Sequence, residues 1–455
     1  MNSSATNRVK VESSGTGVAA HVGLHALGQL ADQLGLGALL SSRVAPTGER
    51  LPAHERGKVL TQLALVLAGG GDSCADIEHL RIQEELFGSV PSDTTVFRTL
   101  HEFDAAGRAQ LMVALAEVRA KVWKKLDTDT TKPVILDFDA SLVDVESENK
   151  QQAAANFKGG FGFHPIFVFC DQTGETLAAK LRPGNAGANT VADHVEVFDA
   201  ALAQLPASIT DGHHVGDDPT NATRVVIARA DGAGCTSGFL NACRERNVQF
   251  SVTVRSNAQL STAISKVSTN KRVWRRALTQ KGERRPGAEV TEVTDRLDLS
   301  GLPEGTRCII RREPLHPGAQ RSLFPSYDYR YWGFYTDCAG TPVTLDQQMR
   351  AHAHVEQHIL RLKESGLTSM PFTNFEANAT WLMTVALASD LVRWFQLLCL
   401  SGEWQQVRPK RLRWELFHAP GRLLYSARQL IVRLLDGSPG ANQLLAAYKN
   451  IAALT

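Results

Sequence analysis

The sequence lacks the features of a disulfide-stabilised, zinc-binding or secreted protein. Its seven cysteines are an odd number, and none of them belongs to a CxxC pair. That usage predicts neither a disulfide framework nor a zinc site, and it fits a reducing cytosol. The first 20 residues are small and polar, without the apolar segment of a signal peptide. We therefore expect disorder over residues 1–20 and a cytoplasmic protein.

Long uncharged apolar runs are also missing from the sequence. The longest apolar stretch, Trp381–Leu400, is interrupted by Asp390 and Arg393. Charges at those positions favour a buried helix over a membrane span. The sequence therefore predicts no contact with a membrane.

The overall charge is small but unevenly distributed. The 455 residues carry a net charge of only +2. Residues 255–312 nevertheless contain 13 Lys and Arg against 6 Asp and Glu, and residues 401–433 contain 7 against 2. Basic segments in a near-neutral chain favour a surface that binds a polyanion, although two ordinary solvated faces explain the same numbers.

The segment Val134–Val143 carries two acids at the end of an apolar run. Pro133 precedes the run, and the pattern is typical of a buried strand. Because alternate strand residues share a face, Asp137 and Asp139 lie on the same side. Two buried carboxylates need a cation to neutralise them, and a divalent metal is the obvious one. The alternative is a strand end whose acids are solvated or cap a turn.

Residues 21–130 have helical periodicity throughout, punctuated by three glycines at 69–71. A short helix before residue 80 is followed by a second one, for which Ser92 is a plausible N-cap. The second helix carries Arg98, and the pair is similar to a helix-turn-helix reader of DNA. We therefore expect this region to bind DNA, although many helical bundles have the same pattern.

From Lys132 the periodicity changes to that of strands. A strand, a hairpin, a helix, a strand, a helix and a further strand follow in that order, which is the order of a ribonuclease-H-like core. The sequence predicts an α/β protein with such a mixed-sheet catalytic core, a β-rich insertion, and α-helical N-terminal and C-terminal regions. The predicted divisions are a helical DNA-binding region at 21–130, the first part of the core at 131–254, a basic β-rich insertion at 255–345, the second part of the core at 346–400, and a helical C-terminal region at 401–455, including a helix over 412–435.

Three acids occupy positions where this fold could bring them together. Asp139 is on the first core strand, Asp231 is at the end of a later strand, and Glu356 is on a helix after the insertion. Hard carboxylate ligands suit two Mg²⁺ or Mn²⁺ ions, about 4 Å apart in two-metal sites. Lys363 lies two helical turns after Glu356, so the two share a face, unless this is simply a solvated amphipathic helix.

Several motifs together bring a family resemblance. The chain from about residue 20 to 440 resembles the DDE group 1 transposases of bacterial insertion sequences. The resemblance is carried by residues 136–140, 157–165, 181–190, 229–234, 311–320 and 409–413. It implies a ribonuclease-H-like DDE core, an N-terminal DNA-binding region, and an enzyme that acts at the nucleoid in a bacterial cytoplasm.

Carried over by position, the resemblance implies that Asp139, Asp231 and Glu356 are the catalytic, metal-binding triad. Asp137 remains a rival ligand, but the resemblance favours Asp139, because small residues follow it as they usually follow the first aspartate of the family. The related signature Tyr-x2-Arg-x3-Glu-x6-Lys falls on Met349, His352, Glu356 and Lys363, of which the first two depart from it. His352, His354 or Arg350 could replace the missing arginine, and the spacing does not decide among them.

Other candidate DNA contacts follow from charge and aromatic character. Trp274 and Trp332 could stack on an unpaired base, although buried aromatics are the commoner outcome. The expected cationic contacts are Lys363, His352, Arg350, Lys158, Arg182, Arg98, Arg311, Arg312, Lys410 and Arg411.

The resemblance implies a transposase that binds terminal inverted repeats, cuts the transposon ends and joins the freed 3′-hydroxyls to target DNA. Two Mg²⁺ or Mn²⁺ ions and a homodimer in the synaptic complex belong to this expectation. An inactive DNA-binding regulator and a stand-alone metal nuclease are the alternatives.

Overall fold

The computed structural model describes residues 16–44, 53–126, 131–315 and 329–454. The disorder expected for residues 1–15 lies outside these ranges. Residues 18 and 19, also expected to be disordered, instead form a short strand, β1 (Val18–Ala19), which pairs with Gly421–Ser426 near the C-terminus. The first described residues are therefore joined to the last part of the chain.

The N-terminal region is helical, as predicted. Ser92 is the N-cap of the helix that carries Arg98, and its hydroxyl accepts a hydrogen bond from the Thr95 amide at 3.3 Å. The helices are α1 (Val22–Gln33), α2 (Leu36–Arg43), α3 (Arg56–Ala68), α4 (Glu78–Arg81), α5 (Glu84–Phe87), α6 (Asp93–His101) and α7 (Ala105–Lys125). Their apolar faces share one hydrophobic core with the C-terminal helices, so this region is packed onto the rest of the protein.

A nine-stranded mixed sheet forms the centre of the protein. Its first half contains β2 (Val134–Ala140), β6 (Ile166–Cys170), β7 (Thr176–Lys180), β8 (Val226–Ala230) and β9 (Gln249–Thr253). Strand β2 pairs with β8 in parallel and with β6 antiparallel, so the first core strand is internal and the later acid-bearing strand is its neighbour. This order confirms the ribonuclease-H-like mixed-sheet core.

Smaller elements complete this half of the core. Helix α8 packs on β6 and β7, and α10 leads from β8 to β9. The elements are β3 (Val143–Asp144), β4 (Ala154–Ala155), β5 (Phe161–Phe163), α8 (Val191–Leu202), α9 (Ala207–Thr210) and α10 (Ser237–Glu245). Strands β3, β4 and β5 form a separate three-stranded sheet, which leads the chain into β6.

The β-rich insertion extends the central sheet. After α11 (Ala258–Ser268) come β10 (Arg275–Leu278), β11 (Arg284–Glu292), β12 (Arg307–Pro314) and β13 (Tyr329–Thr336). Strand β13 pairs with β9, so the sheet runs without interruption from the insertion into the core. Isoleucines and valines from both parts pack on the same faces of this sheet.

The helix expected after the insertion, which carries Glu356, is divided. Helix α12 (Pro342–Arg350) passes through one 3₁₀ turn, Ala351–His354, into α13 (Val355–Leu362), which ends in a wide π turn, Lys363–Leu367. The buried helix expected after it is α14 (Phe375–Cys399). Its length and hydropathy would suit a membrane span, but 83% of its most apolar window is buried inside the protein.

The C-terminal region is not wholly helical, so the predicted helix over 412–435 is wrong. Helix α15 (Pro409–Leu412) and a π turn, Arg413–Phe417, lead into the hairpin β14 (Gly421–Ser426) and β15 (Gln429–Leu434), and α16 (Ala441–Ala452) follows. Ala427 and Arg428 form the hairpin turn with φ of 48° and 66°, where a helix cannot continue. Pairing with β1 and with each other overrides the helical propensity of the leucines.

Candidate active site

Two of the three candidate acids lie side by side on adjacent strands. Asp137 of β2 is paired in parallel register with Arg229 of β8, and Phe138 is paired with Ala230. The next position on β2 is Asp139, and two positions beyond Arg229 comes Asp231, directly after β8. The parallel register therefore brings these two carboxylates to the same end of the sheet.

Glu356 joins them from the first turn of α13. Burial, together with the negative charges of Asp231 and Glu356, raises the pKa of Asp139 to about 6. The amide of Ala140, which donates to Asp139 Oδ1 at 2.7 Å, and the nearby His352 act in the opposite direction. The fold thus gathers three carboxylates that repel one another, which is the electrostatic condition that a bound cation relieves.

Asp137 has different partners, although it shares a face with Asp139. It is completely buried, and its two oxygens accept hydrogen bonds from Nε and Nη2 of Arg229 at 2.8 and 2.6 Å. His352 Nδ1 lies 2.8 Å from the same carboxylate. Although burial alone would raise it, these hydrogen bonds hold the pKa of Asp137 below its usual value. A protein cation already neutralises Asp137, so this geometry favours Asp139 as the metal ligand.

Arg229 also contacts a second acid–histidine pair. Its Nη2 lies 3.1 Å from Asp171 Oδ2, and His354 Nδ1 lies 3.0 Å from Asp171 Oδ1. Its Nη1 donates to the Gln348 carbonyl at 2.7 Å, just before the 3₁₀ turn. His352 and His354 both belong to that turn, so one buried arginine holds both ends of the segment that enters the Glu356 helix. The sequence analysis included Arg229 in the motif over 229–234 but assigned it no role.

The donor set fits a hard divalent cation in its chemistry. Three carboxylates act on one another, and Mg²⁺ and Mn²⁺ prefer such oxygen ligands. Among the residues that the structure describes, however, no three His, Cys, Asp or Glu side chains converge closely enough to hold an ion as they stand. Asp231 Oδ1 accepts a hydrogen bond from the Ala233 amide at 2.8 Å.

The two candidate cations on the Glu356 segment differ in their surroundings. Lys363 is exposed at the end of α13. Arg350 is mostly buried, and its guanidinium bonds Asp346 at 2.9 Å and the Leu278 carbonyl. The structure therefore leaves Lys363 accessible to DNA and uses Arg350 to fasten α12 to the insertion.

The other predicted DNA contacts outside the insertion also divide into exposed and buried side chains. Lys158 and Arg98 are exposed, and the Lys158 ammonium lies 5.8 Å from the exposed Phe157 ring. Arg182 is only 2% exposed, bonds the His164 carbonyl and pairs with Asp193 at 3.1 Å. Arg182 is therefore an internal brace rather than a surface contact for phosphate.

In the insertion, the structure contradicts one predicted stacking residue. Trp274 is 5% exposed, its indole donates to the Val267 carbonyl at 3.0 Å, and the Arg312 guanidinium lies 4.0 Å from its ring. Arg312 itself is buried and pairs with Glu289. Both side chains stabilise the insertion, and neither is open to a base or a phosphate.

Trp332 and Arg311 cover one another at the surface. Trp332 is 39% exposed, and the Arg311 guanidinium lies 4.7 Å from its ring. Arg311 also pairs with Asp346 at 3.1 Å, which ties β12 to α12. One face of the indole is thus already occupied within the protein.

The predicted contacts Lys410 and Arg411 line a cavity of about 590 Å³ together with Trp414. Lys410 is exposed, whereas Arg411 pairs with Glu415 and Glu403. The indole of Trp414 is 83% exposed. The sequence analysis missed Trp414, although a tryptophan directly after arginine in a basic segment was a usable signal.

Comparison with known proteins gives one family. Over residues 1–455 the chain matches the family model described as transposase DDE domain group 1. No curated protein matches the sequence. A solved piggyBac transposase synaptic complex with hairpin DNA is similar at 11% identity and a TM-score of 0.39, covering 88% of this chain and 80% of that one.

Proposed function

Because the chain belongs to the DDE group 1 family of transposases, we propose that this DNA transposase binds terminal inverted repeats, cuts the transposon ends and joins them to target DNA. In this proposal the reacting phosphodiester lies against Asp139, Asp231 and Glu356. The carboxylates gathered around Asp139 carry the proposal, because the partly buried Asp139 feels the negative charges of the exposed Asp231 and Glu356, and a bound cation would relieve that repulsion.

The three acids would hold the divalent ions, and Asp137 would support them from behind. When bound, Mg²⁺ or Mn²⁺ supplies the Lewis acidity that activates the attacking water or 3′-hydroxyl and stabilises the leaving oxygen. The chain's own contribution is to orient the acids. The Asp137–Arg229 pair fixes β2 and β8, and His352 ties the Glu356 segment to Asp137.

Exposed cations would hold the DNA. Lys363 directly follows α13, which carries Glu356, Lys158 lies in the turn before β5, and Arg98 lies on α6. Phosphate contacts of this kind position a duplex without reading its sequence. We further propose that two copies of the protein hold two ends in the synaptic complex, and that the reaction takes place on DNA in a bacterial cytoplasm.

The decisive experiment compares cutting with binding on the same DNA ends. Asp231→Ala and Glu356→Ala are expected to abolish Mg²⁺-dependent end cleavage while leaving the affinity for the ends within about twofold, because phosphate contacts dominate affinity. Undiminished cleavage by either variant would overturn the assignment of the triad.

A strand-transfer assay with precleaved ends separates a transposase from a stand-alone nuclease. We expect joining of the 3′-hydroxyl to a target plasmid in Mg²⁺ or Mn²⁺, and its loss in Asp139→Asn. Cutting without any joining would favour a nuclease, and binding without either reaction would favour an inactive regulator.

A further inference from the structure

The cavity beside Trp414 combines an exposed aromatic ring with cations. Its lining residues are Arg408, Lys410, Arg411, Arg413, Trp414, Glu415 and His418. Arginine and lysine thus outnumber acids by four to one in the lining, which favours an anionic occupant.

Trp414 is the large apolar side chain of the cavity that is exposed to solvent. At 83% it is the most exposed of the large hydrophobic side chains within the described ranges. An exposed indole next to cations is the combination that binds single-stranded nucleic acid, because the ring stacks on a base while the cations hold the phosphates.

Not all of the cations around the Trp414 ring form ion pairs within the protein. Lys410 is exposed and forms no ion pair with any other residue that the structure describes. Arg413 donates to the backbone carbonyls of Ala68 and Glu364 rather than to a carboxylate. These contacts orient the guanidinium, whose charge the nearby Glu364 carboxylate offsets in part, so the positive charge available to an anion comes mainly from Lys410.

The cavity is fixed to the end of the proposed catalytic helix. Arg408 pairs with Glu364 at 2.8 Å, and Arg413 bonds the Glu364 carbonyl, one residue after Lys363. A DNA strand held at Trp414 therefore lies near the end of the helix that carries Glu356 and Lys363. Trp414 is the second residue of the π turn Arg413–Phe417, directly after Arg413.

We propose that this cavity, the Trp414 cavity, binds an unpaired nucleotide of a DNA strand, with the base on the indole and the adjoining phosphates on Lys410 and Arg413. The inference rests on the proposed function, because it takes the bound polyanion to be transposon DNA. An unpaired nucleotide fits better than intact duplex, since bases inside a duplex have both faces covered by their neighbours. The volume of about 590 Å³ lies within the range of small-ligand sites.

Tryptophan fluorescence tests the proposal in EDTA, so that no cleavage occurs. Three probes are titrated: oligothymidylate, a blunt duplex, and the same duplex with a three-nucleotide 3′ overhang. In the wild-type protein we expect quenching by the oligothymidylate and the overhang. Trp414→Phe is expected to lose most of that quenching and to bind both of these probes roughly tenfold more weakly, with blunt-duplex affinity unchanged within about twofold.

Trp332→Phe is the matched control, because it removes the other partly exposed indole, which Arg311 covers. It is expected to keep the quenching. Lys410→Gln is expected to reduce the salt dependence of overhang binding by about one counterion. A Trp414→Phe protein that binds all probes like the wild type would overturn the proposal, and so would equal loss of blunt duplex.

Two further outcomes would also overturn it. A change in oligomeric state on Trp414→Phe would show that the cavity receives a second copy of the chain. A quench that Trp332→Phe removes as well would place the base elsewhere. Failure of the catalytic proposal would appear separately, as a wild-type protein that binds overhang DNA through Trp414 but cleaves no ends.

Discussion

Arg229 forms a two-point ion pair with Asp137 one residue pair behind Asp139 and Asp231. The guanidinium nitrogens lie 2.8 and 2.6 Å from the carboxylate oxygens, and both side chains are at most 1% exposed. Asp139 and Asp231 lie two residues beyond this ion pair along the same two strands, so they form neighbouring rows of one face, with the pair Phe138–Ala230 between them in sequence. The first row carries unneutralised charge, and the second row carries charge that is fully paired.

Breaking this ion pair should be costly. Arg229→Met leaves Asp137 buried without its cation, and we expect a loss of about 3–5 kcal/mol in the free energy of unfolding, measured by urea denaturation. The double variant Asp137→Leu with Arg229→Leu should be less destabilised than Arg229→Met, because the fully buried Asp137 carboxylate is removed together with its cation, although Asp171 loses Arg229 in both variants. Equal destabilisation of the single and double variants would contradict this account.

Metal binding should depend on Asp139 and Glu356 and not on Asp137. In the wild-type protein we expect Mn²⁺ to raise the melting temperature, because a ligand that binds only the folded state stabilises it. Asp139→Asn and Glu356→Gln should lose that increase, whereas the exposed Glu304→Gln should retain it. Asp137→Asn should melt lower without metal yet still respond to Mn²⁺. A full response in Asp139→Asn would remove Asp139 from the metal ligands.

Stability should also depend on pH through Asp390 of α14. Burial, with the nearby negative charge of Glu175, raises the pKa of Asp390 to about 7 against the opposing effect of Arg119. The folded state therefore holds this proton more tightly than the unfolded state, whose aspartate has a pKa of about 3.9. The resulting stability is complete below about pH 4 and is lost as the pH rises towards 7.

Urea denaturation at several pH values checks that sign. Asp390→Asn should flatten the decline of the unfolding free energy between about pH 4 and 7, since the proton-binding group is gone. The exposed Asp211→Asn serves as the control and should leave the slope unchanged. A steeper decline in Asp390→Asn would contradict the direction of the shift.

Exposed and ion-paired cations should differ in how they affect DNA binding. Lys363→Gln should weaken binding of transposon ends and lower the slope of log affinity against log salt by about 0.9. Arg350→Gln breaks the ion pair with Asp346. Its main effect should therefore be a lower melting temperature, with little change in the slope of log affinity against log salt. Salt titrations by fluorescence anisotropy measure both, and an unchanged slope in Lys363→Gln would remove it from the DNA contacts.

Sequence reasoning worked best where local pattern and long-range pairing agree. The apolar run before Asp137 predicted β2, and the apolar run that ends at Asp231 predicted β8. Their positions as neighbours in the sheet followed from the order of the elements. Asp139 could be preferred over Asp137 from small neighbouring residues. The reason that the structure supplies, a buried arginine opposite Asp137, depends on strand register, and the sequence does not encode register locally.

The sequence was least informative about exposure and C-terminal pairing. Trp274 and Trp414 both lie in basic segments, but one is buried under Arg312 and the other is open to water. Residues 421–434 have leucines spaced for a helix, yet β1 supplies a partner strand from the other end of the chain. Both outcomes depend on contacts between distant segments, which intrinsic propensity does not determine.

The strands of the insertion have a protective consequence for the core sheet. Strand β9 would be an edge strand if β13 did not pair with it, and its described neighbours are otherwise only β8. Unpaired edges of flat apolar strands recruit strands from other molecules and promote aggregation. A variant that lacks residues 255–345 should therefore precipitate during expression. The insertion thus protects the edge of the core sheet from aggregation.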